Sequence, residues 1–198
     1  MNRIKASGTI TRDDGTFGKE SENLYWLDVR RNSGTVDRLM VFADGEVPEG
    51  EVTVEGTVKA AYRKGLGVPA FIEAAGVVPA QEGEQGMNKA HVDGTLKEDP
   101  VCREVPRKDE GRPDRTGPRY ISSVILRTDK GPVPVVLWGS MAKKAAEELH
   151  AGDRLEAGGR MQSRRYRTKD GRKRTAYELS ASSLKKVGDT AQDGAPGE

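Results

Sequence analysis

Arg164 to Arg174 hold seven basic side chains and one aromatic one within eleven residues. The basic ones are Arg164, Arg165, Arg167, Lys169, Arg172, Lys173 and Arg174, and Tyr166 lies among them. Guanidinium and ammonium groups neutralise phosphates and release their counterions. A flat π-surface stacks on any base without reading it, for roughly 1–3 kcal/mol per base. Together they suit a polyanion that carries flat rings. A second aromatic, Trp138, closes the apolar run Val135-Val136-Leu137. It is either a platform of the same kind or a core tryptophan. Arg119 and Arg160 are further candidates to line a phosphate path.

Other chemistry finds few residues. Cys102 is the single cysteine, so no intrachain disulfide can form and a reducing cytoplasm is the default expectation. His91 and His150 lie far apart and suggest no metal. No Gly-rich phosphate loop and no Ser/His/Asp set is visible. The paired carboxylates Asp13-Asp14 and Glu147-Glu148 fall on a turn and a helix surface. These residues predict a binding protein, not an enzyme, with no cofactor. There is no run of 18 apolar residues and no apolar segment after Met1, which predicts a soluble, non-exported, cytoplasmic chain without a membrane role.

The elements that must carry these residues show an internal repeat. Met1-Asn2…Gly8-Thr9 aligns with Met87-Asn88…Gly94-Thr95, and Gly50 to Gly56 with Gly152 to Gly158. Each half has a β-rich stretch ending in an aromatic, Phe42 and Trp138, and a later aromatic followed by a basic residue, Tyr62-Arg63 and Tyr166-Arg167. Three matches in one order predict a duplicated unit. Residues 81–86 are polar with glycine, a linker by composition. The expected domains are therefore 1–80 and 87–187. Their charges differ: 10 Lys and Arg against 12 Asp and Glu in the first, 23 against 14 in the second. Positive charge confined to one domain is the footprint of a polyanion site.

Short strands dominate the pattern. In the second half, 88–97 is a first strand, and 120–128 with 133–138 form a hairpin about Asp129-Lys130-Gly131. Met141 to His150 reads as one short helix with Ser140 as its N-cap. A second hairpin, 154–167 with 173–184, turns at Asp170-Gly171. Asp99 to Arg119 reads as a mobile loop, and 187–198 as a disordered tail. Helix between third and fourth strands is the order of an OB fold. In the first half only seven residues separate Phe42 from Gly50, which leaves no room for the helix. The expected architecture is all-β: two tandem OB-fold barrels, the second with one short helix between its third and fourth strands.

The second half resembles the bacterial single-stranded DNA-binding protein family. The resemblance is carried by Val135-Val136-Leu137-Trp138-Gly139 with Met141-Ala142, by Leu149-His150-Ala151-Gly152-Asp153, and by Gly158-Gly159-Arg160-Met161-Gln162-Ser163-Arg164-Arg165-Tyr166, running on to Glu178-Leu179. Met87-Asn88-Lys89, Gly94-Thr95-Leu96 and Asp99-Pro100 also fit. It implies sequence-nonspecific binding of single-stranded DNA, with Trp138 and Tyr166 at two of the family's stacking positions. The family's other aromatic positions around Asp129 are unmatched, as is its acidic tail with a hydrophobic tip. Families with one barrel per chain assemble four barrels, so a tandem chain is expected to form a homodimer.

The expected function is binding and protection of single-stranded DNA in replication, recombination or conjugative transfer, with replication or conjugation proteins as further partners. Two other readings stand beside it: a replication-restart or mobile-element accessory acting mainly through protein contacts, and a single-stranded RNA-binding OB protein. Phe42, Tyr62, Arg63 and Lys64 form a possible secondary site, with core packing or an interface as the other role for Phe42 and Tyr62. Trp26 is expected in a core or interface.

Overall fold

The computed structural model describes residues 2–15, 22–63, 67–105, 119–168 and 170–188. The strands are β1 (Arg3–Arg12), β2 (Leu24–Arg30), β3 (Val36–Phe42), β4 (Gly50–Ala60), β5 (Ala70–Pro79), β6 (Asn88–Leu96), β7 (Arg103–Val105), β8 (Arg119–Thr128), β9 (Gly131–Trp138), β10 (Arg154–Arg167) and β11 (Lys173–Lys186), with helix α1 (Ser140–Glu148) between β9 and β10. Neighbours run β2-β3-β5-β4-β1-β6-β10-β11-β9-β8-β7, and the added pairings β2–β1 and β6–β8 close a ring in each half. Each ring is the five-stranded OB order, with the third strand parallel to the fifth.

Alternation of residue types builds each ring. In β9, Val133, Val135 and Leu137 point inward and are fully buried, as are Leu27, Val29, Leu39 and Val41 in β2 and β3. Each such side chain contributes about 1.5–3 kcal/mol relative to exposure. The repeated Gly-Thr pair marks the point where the first strand leaves one neighbour for another. A Cβ on Gly8 would lie 2.3 Å from the Asp28 carbonyl oxygen, and one on Gly94 2.6 Å from that of Arg127. Only glycine lets the ring close there. Matching bulges precede Gly56 and Gly159 in the two fourth strands.

The pairings align the fourth strands one residue, and the third strands two residues, away from the sequence repeat. Gly56 faces Ala74 and Gly159 faces Ala181, while Val41 pairs with Ile72 and Val135 with Leu179. Phe42 therefore corresponds to Val136 rather than to Trp138, and Tyr62 to Arg165. Two local expectations also change. The stretch read as a loop holds the short strand β7, paired with Arg119–Ile121. The N-cap of α1 is Gly139 at φ 61°, with Ser140 inside the helix, because the chain turns sharply after Trp138. Residues 81–86, between β5 and β6, form turns. Glu84 accepts from the Thr53 hydroxyl (2.7 Å) and pairs with Lys5 (3.1 Å). Residues 106–118 of the predicted loop and 189–198 of the predicted tail lie outside the described residues.

The rings join through antiparallel pairing of β1 and β6, from Arg3 opposite His91 to Ala6 opposite Asn88. The hairpin of each fourth and fifth strand reaches over the other ring. On one side the Ala60 amide donates to the Lys130 carbonyl at 3.0 Å. On the other the Arg38 amide donates to the Ser163 hydroxyl at 3.1 Å. α1 covers the end of the second ring with Ala142, Ala145 and Leu149. In the first ring residues 43–49 make that connection without a helix, and Val47 packs on the core instead.

Candidate nucleic-acid interface

The outward row of β8 is Arg119, Ile121, Ser123, Ile125 and Arg127. Ile121, Ser123 and Ile125 floor a groove of about 450 Å³, walled by the Lys97–Val105 segment on one side and Arg164 on the other. Lys97, Arg103 and Arg164 bring positive charge to it; Glu98 and Asp99 also line it. Asp99 is occupied structurally, accepting from the Ala151 amide at 2.7 Å.

Trp138 lies across from Ile121 at one end of this face, half-buried. The Arg119 guanidinium stands over its ring, 4.0 Å from the centroid. That contact places a cation over one face of the indole. Tyr166 is 40% exposed on the β10–β11 hairpin. It pairs across the ladder with Arg174, and the Arg164 guanidinium is 5.8 Å from its ring. Period-2 alternation puts Arg164, Tyr166 and Arg174 on one face and Arg165, Arg167 and Lys173 on the other.

Arg164 does not hang loose. It chelates the buried carboxylate of Glu178 through Nε at 2.7 Å and Nη2 at 3.1 Å, and Gln162 donates to the same carboxylate at 3.0 Å. The hydrogen bonds that Arg164 donates to Glu178 hold its pKa above the usual value. Arg172 is bound to Asp170, and Arg167 donates to the Gly171 carbonyl, which shapes the hairpin tip. Arg165, Lys173 and Arg174 are exposed. Arg160 faces the first ring, 3.7 Å from Asp37, a buried carboxylate that Arg31 also chelates. Burial and the nearby Arg31 lower the Arg160 pKa. Lys169 lies outside the described residues.

The first ring's matching face is covered. Its outward side chains Leu24, Met40 and Phe71 are buried, with Trp26 and Phe42 packed beside them, and the lid is Tyr177 of β11. The Trp26 and Tyr177 rings lie 6.1 Å apart, and Arg38 stands 5.5 Å from the indole centroid. Phe42 meets Phe71 edge-on at 5.0 Å, and Arg63 lies over both rings at 4.4 and 4.8 Å. The opposite side is built differently at one position. Tyr177 stands across from Ser163; the corresponding residue, across from Ala60, is Ala70. A methyl group has no such reach over the β8–β9 face. Tyr62 is 73% exposed, and Lys64 lies outside the described residues.

The structure thus brings Trp138, Arg119 and Arg164 to one face, sets Tyr166 and Arg174 beside Arg164, and places Arg160 and Phe42 in the seam between rings. Lys97 and Arg103 join the groove without having stood out in the sequence. Lys97 follows the first strand as an ordinary charged residue, and Arg103 sits in a stretch whose composition gave no sign of a strand. Among the described residues, no group of three or more His, Cys, Asp or Glu could hold a metal ion, and no helix is long and apolar enough to cross a membrane.

Ring order and groove define an OB-barrel protein of tandem form. Residues 128–187 match the model of the single-strand binding protein family. The chain is 32% identical over 112 residues to the single-stranded DNA-binding protein of Neisseria meningitidis serogroup A, covering 52% of this chain and 60% of that one. It is 29% identical over 102 residues to single-stranded DNA-binding protein 2 of Clostridium acetobutylicum, covering 50% and 75%. The chain spans about three fifths of the length of the Neisseria relative. Among solved structures it is similar to the wild-type single-stranded DNA binding protein from Thermus aquaticus, with a TM-score of 0.67 at 20% identity, covering 98% of this chain and 97% of that one. At that identity the likeness establishes the fold.

Proposed function

We propose that the chain binds single-stranded DNA without sequence preference, acts in the cytoplasm in replication, recombination or conjugative transfer, and is not an enzyme. The observation that carries this is the groove over β8, lined by Lys97, Arg103 and Arg164, with Trp138 and Arg119 beside its Ile121 end. Stacking on Trp138 and Tyr166 is sequence-tolerant, and the cations engage phosphates. The names of the Neisseria and Clostridium relatives agree with this reading.

The two domains, 1–80 and 87–187, divide the work. The second carries the DNA site, and the first carries structure, its own face filled by Tyr177. The assembly is a homodimer presenting four barrels, which light scattering at micromolar concentration checks. The functional test is titration with oligo-dT while following tryptophan fluorescence. Quenching is expected, with binding that falls steeply with salt. Four phosphate contacts would give a log–log slope of about −3. Salt-independent binding, or none at low salt, overturns the proposal. Tighter binding of oligo-rU than oligo-dT at equal salt would favour RNA as ligand.

A further inference from the structure

We infer that Glu178 and Gln162 are positioning residues for DNA binding, which hold the Arg164 guanidinium on the groove wall as a preset phosphate contact. This rests on the groove being the DNA site. Alternation puts Arg160, Gln162, Arg164 and Tyr166 in one row on β10, running from the seam between the rings to the groove. Glu178 stands directly across from Gln162 on β11. Gln162 and Glu178 are 5% and 4% exposed, too little to meet a strand themselves. Their action on a ligand must pass through Arg164.

Donors and acceptors alternate along this row. The Asp37 carboxylate takes the fork of Arg31 and lies near Arg160. Gln162 Oε1 accepts from Arg160 at 3.2 Å and from Arg31 at 3.5 Å. Two cations at that oxygen leave the amide one orientation, with Nε2 donating to Glu178 at 3.0 Å. Glu178 in turn grips Arg164 by Nε and Nη2. Two carboxylates, Asp37 and Glu178, thus face three guanidinium groups, Arg31, Arg160 and Arg164. The row is one anion short. The open place is at its groove end, where Arg164 Nη1 makes no hydrogen bond among the described residues. A phosphate oxygen at Nη1 completes the alternation. An arginine already pinned by two bonds gives up little rotamer freedom when that phosphate arrives.

The test is a double-mutant cycle: wild type, Glu178→Gln, Arg164→Ala and the double variant, each titrated with oligo-dT by fluorescence anisotropy. Glutamine keeps the shape of Glu178 but sets an NH2 group against one Arg164 donor, which breaks the fork. Charge alone predicts tighter binding, since a negative group near the groove is gone. Positioning predicts the reverse. Glu178→Gln is expected to weaken binding about 2- to 12-fold, the effect of one long side chain that must now be ordered on binding. In the Arg164→Ala background the same change is expected to weaken nothing, whereas a merely structural role would cost affinity in both backgrounds. Equal or tighter binding by Glu178→Gln, the same loss in both backgrounds, or wild-type affinity in Arg164→Ala overturns the inference. If Glu178→Gln shows no cooperative urea transition, Gln162→Met takes its place in the cycle, with the same expected and overturning outcomes. Failure of the wild-type chain to bind oligo-dT would instead defeat the proposed function itself.

Discussion

Arg119 stands 4.0 Å above the ring of Trp138, closer than any other guanidinium comes to an aromatic centroid among the described residues. A base that stacks on this face must displace the cation or sandwich it. Either way Arg119 ends beside a phosphate. Arg119→Ala is expected to weaken binding evenly across dT, dC and dA oligonucleotides and to reduce the salt slope by about 1. Salt titrations of both proteins check this; a sequence-dependent loss would contradict it.

Aromatic truncation separates the two barrels. Trp138→Ala with Tyr166→Ala is expected to cost about 2–6 kcal/mol of oligo-dT affinity, two stacking contacts' worth. Phe42→Ala should leave affinity within about 0.5 kcal/mol but lower folding stability by about 1–3 kcal/mol, since its ring packs on Phe71 under Arg63. Equal affinity losses from the two changes would mean two equivalent binding faces.

Asp37 is 1% exposed and faces both Arg31 and Arg160. Removing it leaves two cations confronting each other across the seam. Asp37→Ala is expected to lower stability by about 2–4 kcal/mol, less than a fully buried pair because Arg160 is partly solvated. Urea denaturation followed by tryptophan fluorescence reads the loss, because Trp26 sits in the same seam.

Glu84 titrates below the usual carboxylate range because the Thr53 hydroxyl, the Gln81 amide and Lys5 all donate to it. A depressed folded pKa adds stability above the unfolded value, about 4.3, and that stability is lost as pH falls through the folded value. The wild-type chain should therefore lose stability as pH falls below about 4. Glu84→Gln should start less stable at neutral pH and show a shallower acid loss. Thermal melts across pH 2 to 7 check the slope; parallel curves would show that Glu84 is not a source of it.

Much of the fold was legible because its signals are local. The Gly-Thr repeat, the Asp129-Lys130-Gly131 turn and the Ala-rich helix each state their structure in a few residues. The short strand β7 was not legible, since three residues pairing with a distant strand leave no period to read. The repeat itself slipped, by one residue in the fourth strands and two in the third, because register there is set by cross-strand pairing, not by residue type. The basic hairpin around Tyr166 announced itself, but Arg160 could not be told from its neighbours. Its partner Asp37 lies 123 positions away, in the other barrel. Phe42 was ambiguous for the same reason, as the lid over its face is Tyr177.

The β1–β6 joint lies within one chain, and this has a consequence for how the halves could diverge. A joint between separate molecules loosens on dilution, whereas a tethered one is governed by an effective concentration that dilution cannot touch. Each barrel also meets only its unlike sister there, never a copy of itself. A residue on one side need suit a single fixed neighbour, so Lys5 can stand opposite Lys89 while Glu55 and Glu84 on its own side hold it. Freed from matching itself, the first barrel could give up its own binding face to Tyr177 and serve as a permanent socket for the second.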